Sequence, residues 1–283
     1  MDPESPNMLL CRSLRGNIGR DLFLGALALM GGVACTIAAD LPQTTRVTST
    51  PQGRAWDSIK QLPDWSGVWV LSDESWAVVM AVASGRDNGR VPLSPRYMAI
   101  RAEQGVPEDY TQFSNESKCI PVGIPESTAI PIGHEYLFTP GRVTVIFENG
   151  IVRRIDTSGR SHPPEKELDY TFAGNSIGHW EGRTLVVDTI GISPQAEFIF
   201  GLHTTAKTHL TERISRKDQD TLQIDTVMTD PEILTSPWTY SRLYKHSKLP
   251  PFEYYPCVEG NRDVMVGGKQ TGVDLTPPPA SKP

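Results

Sequence analysis

The chain has 283 residues, of which 38% are hydrophobic and 21% charged, with a formal net charge of −6 and 24 residues each of glycine and proline. This length is sufficient for one large β domain or two small ones. No block of lysine or arginine indicates nucleic-acid binding, and the glycine and proline content predicts many turns and long loops.

A secretory signal is predicted at the N-terminus, over residues 1–39. Three arginines precede an apolar run that ends in small residues: Arg12, Arg15, Arg20 and then Leu22 to Ala39. This order is typical of a cleaved export signal, so we expect a periplasmic or secreted protein with no stable membrane span after cleavage. Two alternatives stay open. In the first, the apolar run is a single membrane anchor. In the second, Cys35 in Gly-Val-Ala-Cys is a lipidation site.

Two cysteines, Cys119 and Cys257, belong to the predicted mature chain. An even pair in an oxidising compartment favours a disulfide between them, and the alternative is two buried thiols. Their wide spacing gives no zinc signature.

The region before the first hairpin predicts a leader, one strand, one or two short helices and a long loop. Residues 40–60 read as a polar leader. The next segment, Asp64–Val70, predicts a first strand with Trp65 and Trp69 on one face, where we expect them to pack at one barrel end.

Two helices are indicated further along. The segment Glu74–Val82 predicts a short helix or strand. Ser94–Gln104 predicts a helix, with Pro95 at its first position. Residues 105–133 then form a loop rich in proline and glycine, long enough that we expect it to cover a barrel mouth.

The Asn149-Gly150 turn joins two predicted strands, 142–148 and 151–156. A two-residue loop pairs Phe147 with Val152, which places six residues on the more apolar face: Val143, Val145, Phe147, Val152, Arg154 and Asp156. If this face points inward, Arg154 and Asp156 bring charge into the interior and mark a site. The alternative is that the strand has reached solvent by Arg154.

Two further hairpins follow. The turn Glu181-Gly182 joins strands in which Trp180, Leu185 and Val187 form the apolar face, so His179 is expected to point away from the core. A third hairpin pairs Thr211–Arg216 with Thr221–Val227 around Lys217-Asp218-Gln219-Asp220. One more strand is predicted at Trp238–Tyr244.

Three hairpins in about ninety residues predict an all-β fold, either an antiparallel barrel or a sandwich. We expect an antiparallel β-barrel with long loops and one or two short helices. The barrel domain is expected over residues 61–262. Residues 263–283 are expected to form a disordered tail.

The stretch Gly174–Thr189, Gly-Asn-Ser-Ile-Gly-His-Trp-Glu-Gly-Arg-Thr-Leu-Val-Val-Asp-Thr, resembles a family of exported bacterial proteins that carries no established activity. The segment Asp156–Pro163 before it and Glu212-Arg213 after it belong to the same likeness, which spans roughly Trp65 to Arg262. A weaker likeness is to lipocalin-type barrels, which enclose one small apolar ligand. That likeness implies a fold, and a fold does not imply a function.

His162 is the histidine singled out as a general acid–base, because it lies in a proline-fixed loop at the end of a strand. We predict that Asp156 orients it and that Arg154 or Arg160 stabilises developing negative charge. The residues predicted to contact a ligand are Trp69, Phe147, His134, His179 and Trp180. Glu212 and Arg213 are expected to form cross-strand ion pairs on a solvated face.

The leading hypothesis is acid–base chemistry of lyase or isomerase type on a small, partly apolar or aromatic molecule, without a cofactor. The alternatives are a small-molecule binding or carrier protein of the cell envelope and a structural or interaction protein. No nucleophile elbow, nucleotide loop or His-Glu-x-x-His motif is present. No metal is predicted, although a zinc site from His162, His179 and His203 stays open.

Overall fold

A computed structural model describes residues 55–87, 89–104, 115–248, 263–266 and 269–273. It contains thirteen strands and two α-helices: β1 (Val68–Leu71), α1 (Asp73–Ala83), α2 (Pro95–Gln104), β2 (His134–Thr139), β3 (Arg142–Phe147), β4 (Val152–Asp156), β5 (Asn175–Glu181), β6 (Thr184–Ile190), β7 (Glu197–Ile199), β8 (Leu202–His203), β9 (His209–Asp218), β10 (Thr221–Thr229), β11 (Trp238–His246), β12 (Asp263–Val266) and β13 (Lys269–Val273). Nine strands form a closed barrel in the order β1-β11-β10-β9-β6-β5-β4-β3-β2. The predicted all-β barrel with short helices is therefore confirmed.

The barrel is antiparallel except at one seam. Strands β4 and β5 run parallel, with Ile155 opposite Ser176 and Asp156 opposite Ile177. Parallel neighbours require a crossover connection, because a tight turn only joins antiparallel strands. Residues 157–174 provide that crossover, and they include His162.

Both predicted helices are present. Helix α1 begins after Ser72, whose side-chain oxygen accepts a hydrogen bond from the backbone N–H of Ser75 at 3.2 Å. This capping resolves the choice between helix and strand for that segment. Helix α2 begins at Pro95, as predicted. Within the described residues, neither helix is long and apolar enough to cross a membrane.

One barrel end is closed by aromatic packing around Trp65 and Trp69, as predicted. The indole N–H of Trp69 donates to the Trp65 carbonyl oxygen at 3.0 Å. The Trp65 ring lies 5.2 to 5.4 Å from the rings of Tyr136, Phe138 and Trp180. Such edge and tilted contacts add to the apolar area that these side chains remove from water.

The register predicted for the Asn149-Gly150 hairpin is wrong by one residue. Ile146 pairs with Val152, and Phe147 and Ile151 flank a three-residue loop in which Gly150 has a φ of +84°. A type I turn followed by such a residue gives this loop length. Because a slip of one residue exchanges the faces of a strand, the inward set of β4 becomes Arg153 and Ile155 rather than Arg154 and Asp156.

The register of the second hairpin differs from the prediction by two residues. Trp180 pairs with Leu185 and Gly178 with Val187, around a loop at residues 182–183. A shift of two leaves every side chain on its predicted face. Accordingly Leu185 and Val187 are buried and His179 is exposed, as predicted.

The third hairpin and β11 are confirmed, and the remaining segments add detail. The 105–133 loop is described from residue 115, and its residues 122–130 are buried. Strand β2 and the short β7–β8 hairpin were not predicted. Within residues 263–283, which we predicted to form a disordered tail, β12 and β13 pair as an antiparallel hairpin. The predicted signal, residues 40–54 of the predicted leader, and Cys257 lie outside the described residues.

Candidate functional site

Three of the four predicted catalytic residues do not gather around His162. Arg154 is exposed on the outer face of β4. Asp156 forms an ion pair with Arg160 at 2.8 Å and accepts hydrogen bonds from the backbone and side chain of Ser158. Partial burial raises the pKa of Asp156, but the hydrogen bonds from Ser158 and Arg160 outweigh it and lower the pKa overall. Asp156 therefore stabilises the start of the loop that follows β4, and it does not orient His162.

A different carboxylate, Asp188, holds His162. The imidazole Nε2 of His162 lies 2.9 Å from Asp188 Oδ2, and its Nδ1 lies 2.8 Å from Asn175 Oδ1. On the other side, His209 Nε2 lies 2.6 Å from Asp188 Oδ1. Two imidazoles thus share one carboxylate on the outer wall of the barrel. We call these four residues the His162 cluster.

The His162 cluster accounts for two positions of the Gly174–Thr189 stretch. Asn175 and Asp188 face outward from β5 and β6 and hold the crossover loop. Their chain neighbours Ser176 and Thr189 face inward and lie opposite each other in the sheet. The alternation of a β-strand therefore lets one short motif serve both faces of the wall.

Charge stabilises the pairing of His209 with Asp188. The hydrogen bond to Asp188 raises the pKa of His209 against the lowering effect of its partial burial. Partial burial raises the pKa of Asp188, but hydrogen bonds and charge from His209 and His162 lower it overall. The pair is therefore ionised over a wider pH range than either group would be alone.

Asp188→Asn should lower the free energy of unfolding by about 1 kcal/mol near pH 5.5 and by less at pH 8, since both groups are partly exposed. The pKa of His209 is raised in the folded protein, so the stability that its charge contributes is complete below the unfolded-state pKa near 6.5. That contribution is lost as the pH rises through the folded-state pKa. Urea denaturation at both pH values measures the difference. Asp225→Asn is the matched control, because Asp225 is also half-buried on the wall and its carboxylate accepts from the neutral amide of Gln223. An equal loss at both pH values would contradict this account.

The barrel interior contains a buried ion pair that was not predicted. Arg153 donates to both oxygens of Glu212, and its Nη2 also donates to Thr189 Oγ1 at 2.7 Å. Its Nε donates to Ser176 Oγ at 3.1 Å. The prediction that Glu212 lies on a solvated face is therefore wrong. Its neighbour Arg213 does lie outside, paired with Glu181 at 2.8 Å.

The residues predicted to contact a ligand mostly fill the interior. Trp69, Phe147 and His134 are buried in the core. The His134 ring packs 5.3 Å from that of Phe147 and 4.9 Å from that of Tyr244. Trp180 packs at the aromatic end, and His179 is exposed beside Glu181 at 3.3 Å.

A pocket lies elsewhere, where the barrel wall changes from strand to helix. Strand β1 stops at Leu71, and α1 continues alongside β11. The Ser72 N–H donates to the Leu243 carbonyl oxygen, and the Leu243 N–H donates to Ser75 Oγ, both at 2.8 Å. The pocket is bounded by α1, by the end of β7, by residues 126–129 and by β11.

The pocket lining is mainly apolar and aromatic, with a few polar and charged side chains. The apolar members are Val78, Val79, Val82, Ala129, Phe198, Ile199, Phe200, Trp238 and Tyr240. The charged members are Glu126 and Arg242, and both are buried. The 105–133 loop, which we predicted to cover a barrel mouth, lines this pocket through Glu126 and Ala129, and the crossover loop with His162 is not part of the lining.

The pocket volume is about 40 Å³. At 10–15 Å³ for each water, this is room for about three water molecules. The pocket is therefore only large enough for one end of a small molecule, and the Val78 side chain in its lining is exposed.

Sequence reasoning missed Arg242, although the signal for it was present. Trp238, Tyr240, Arg242 and Tyr244 alternate along β11, so an inward tryptophan places the arginine inward as well. Helix α1 and Phe198 come from segments far apart in the chain, and no local pattern joins them.

The open zinc alternative gains no support. His203 lies 3.1 Å from the carbonyl oxygen of Gln195, while His179 and His162 have the separate partners described above. Among the described residues, no group of three or more His, Cys, Asp or Glu side chains is arranged to hold a metal ion.

The fold and pocket define a closed β-barrel with a small apolar side pocket. Compared with models of protein families, with curated proteins and with solved structures, the chain matches none.

Proposed function

We propose that the protein binds a small, mainly apolar or aromatic molecule in the pocket between α1 and β11. The observation that carries this proposal is the lining, in which apolar and aromatic side chains converge above a few buried polar groups. Small-molecule sites in proteins share this composition. His162 does not reach the pocket, so the binding alternative has more support than acid–base chemistry there.

Val79→Phe should abolish this binding, because the larger ring fills a pocket of about 40 Å³. Three probes with the same phenylbutyl body test it: phenylbutanol, phenylbutyrate and phenylbutylamine, measured by ligand-observed NMR and calorimetry. Val152→Phe is the matched control, since Val152 lies on the outer face of β4. We expect at least one probe to bind the wild type and the control variant but not Val79→Phe. Binding of none, or binding unchanged in Val79→Phe, would refute the proposal.

The second candidate function is acid–base chemistry at the His162 cluster. The specific observation is the Asp188 carboxylate 2.9 Å from His162 Nε2, a contact by which a carboxylate can orient a general base. The other ring nitrogen, Nδ1, lies 2.8 Å from Asn175 Oδ1 and would exchange that contact for the substrate. A screen for isomerase and lyase turnover of small molecules is the assay. In His162→Gln, any such turnover should fall by about 10²–10⁴-fold. Unchanged turnover in this variant would exclude the assignment.

We propose further that the chain is exported and belongs to the exported family that its Gly174–Thr189 stretch resembles. The arginines and apolar run of residues 1–39 support export. N-terminal sequencing of the protein from envelope fractions should find a start near Asp40. Thiol alkylation before and after reduction should show Cys119 and Cys257 reacting only after reduction, as the disulfide hypothesis requires.

A further inference from the structure

Among the described residues, two arginines are buried inside the barrel, and they differ in their partners. Arg153 has a carboxylate, Glu212, and two hydroxyls around it. Arg242 is 6% exposed, and its hydrogen bonds both come from Nη1, to Thr128 Oγ1 at 2.6 Å and to the Pro125 carbonyl oxygen at 3.4 Å. A buried charge is costly unless an opposite charge compensates it.

The described groups in direct contact with Arg242 are neutral or aromatic. Its guanidinium lies 4.4 Å above the Tyr240 ring. Burial raises the pKa of Tyr240, so its hydroxyl stays protonated at neutral pH. In the part of the chain that the structure describes, no carboxylate comes within ion-pair distance of Arg242, although Glu126 lines the same pocket.

We propose that the ligand of this pocket is a monocarboxylate with an apolar body, whose carboxylate binds the guanidinium of Arg242. This inference rests on the proposed binding function and names its ligand class. A guanidinium offers five N–H donors in a planar fork that matches a carboxylate. Since Nη1 is occupied by Thr128 and Pro125, the edge formed by Nε and Nη2 is the one for the ligand.

The apolar body of the ligand then extends toward the mouth of the pocket. Val79 and the buried Phe198 belong to the lining, together with the exposed Val78 and the half-buried Phe200, whose ring packs 6.2 Å from that of Trp76. Burial of an aromatic or aliphatic chain against these side chains contributes affinity in proportion to its apolar area. The site therefore fits a carboxylate placed inside and a hydrocarbon placed outside.

The carboxylate of Glu126 allows the charge of the ligand head group to be tested. A bound carboxylate would be repelled by the Glu126 carboxylate, whereas a bound amine would be attracted to it. Glu126→Gln should therefore tighten the binding of a carboxylate and weaken that of an amine.

The test compares the affinities of phenylbutyrate, phenylbutanol and phenylbutylamine by calorimetry. We expect phenylbutyrate to bind at least about tenfold more tightly than phenylbutanol, since a hydrogen bond to a charged group is stronger than one to a neutral group. Arg242→Met should abolish this preference and keep the binding of phenylbutanol. Arg216→Met is the matched control, because Arg216 also bonds to carbonyl oxygens and lies 5.7 Å from a tryptophan ring, that of Trp69, yet does not line the pocket.

Each outcome separates this inference from the binding function. Equal affinities for phenylbutyrate and phenylbutanol in the wild type overturn the carboxylate class and leave the binding function standing. Tightest binding of phenylbutylamine overturns it in favour of Glu126 as the anchor. No binding of any probe overturns both. Because the comparison of head groups uses the wild type, it holds even if Arg242→Met fails to fold.

Discussion

Removing either member of the interior ion pair should lower the free energy of unfolding by about 3–5 kcal/mol, because the partner is left as an uncompensated buried charge. The variants are Arg153→Met and Glu212→Leu. Both side chains are only 2% exposed, so water cannot solvate the charge that remains. Urea denaturation monitored by tryptophan fluorescence measures the loss.

The double variant should be more stable than either single variant. Replacing a buried ion pair by apolar side chains removes both charges together, and such replacements are often close to neutral. The control is the adjacent pair on the outer wall, Arg213 with Glu181, where Arg213→Met should cost less than about 1 kcal/mol. If the double variant lost the sum of the two single effects, the pair would not be coupled and this explanation would fail.

The interior pair also shows how far the sequence could predict this barrel. Alternation and turn residues predicted the hairpins, and they left open whether charged side chains of β4 enter the interior or have reached solvent. The choice between Arg153 and Arg154 depended on whether the Asn149-Gly150 loop has two or three residues. Both lengths suit an Asn-Gly turn, so local sequence did not decide it. In the second hairpin the predicted register was wrong by two residues, yet the predicted faces were right, because a shift of two residues keeps each side chain on its face.

The partners of His162 could not be read from local spacing. Asp156 is near in sequence, but it bonds to Ser158 and Arg160 within its own loop. The actual partner, Asp188, follows from the parallel seam between β4 and β5, which sends the crossover loop back across the outer wall. A seam of that kind is a long-range feature, and hairpin patterns predict only antiparallel neighbours.

The pocket was less predictable still. Its four walls come from α1, the 126–129 segment, the end of β7 and β11, which meet only in the folded barrel. Each piece carried a local signal, such as the helix cap at Ser72 or the alternation of β11. The assembly of these four walls depends on the short length of β1, because α1 then takes the place of a strand beside β11. No residue pattern predicts where β1 ends.

The protein should lose stability in mild acid because of His134. Burial lowers the pKa of this imidazole to about 3, from a usual value near 6.5. Between these values the unfolded chain binds a proton that the folded chain excludes, so stability falls as pH falls below about 6.5 and is unaffected above it. Each pH unit in this window costs about 1.4 kcal/mol, which amounts to about 3 kcal/mol at pH 4.5.

His134→Phe should remove this acid sensitivity. The ring already packs among Phe147, Tyr136 and Tyr244, and its Nε2 is buried with no hydrogen-bond partner in the described part of the chain, so an apolar ring suits the position. Urea denaturation at pH 7.5 and pH 4.5 should show the wild type losing about 3 kcal/mol more than the variant. His179→Phe, on the exposed outer face, should behave like the wild type. Protonation of the carboxylates acts on all three proteins, so only the difference between them reports on His134. Equal losses in the wild type and His134→Phe would show that its imidazole is not kept neutral by burial.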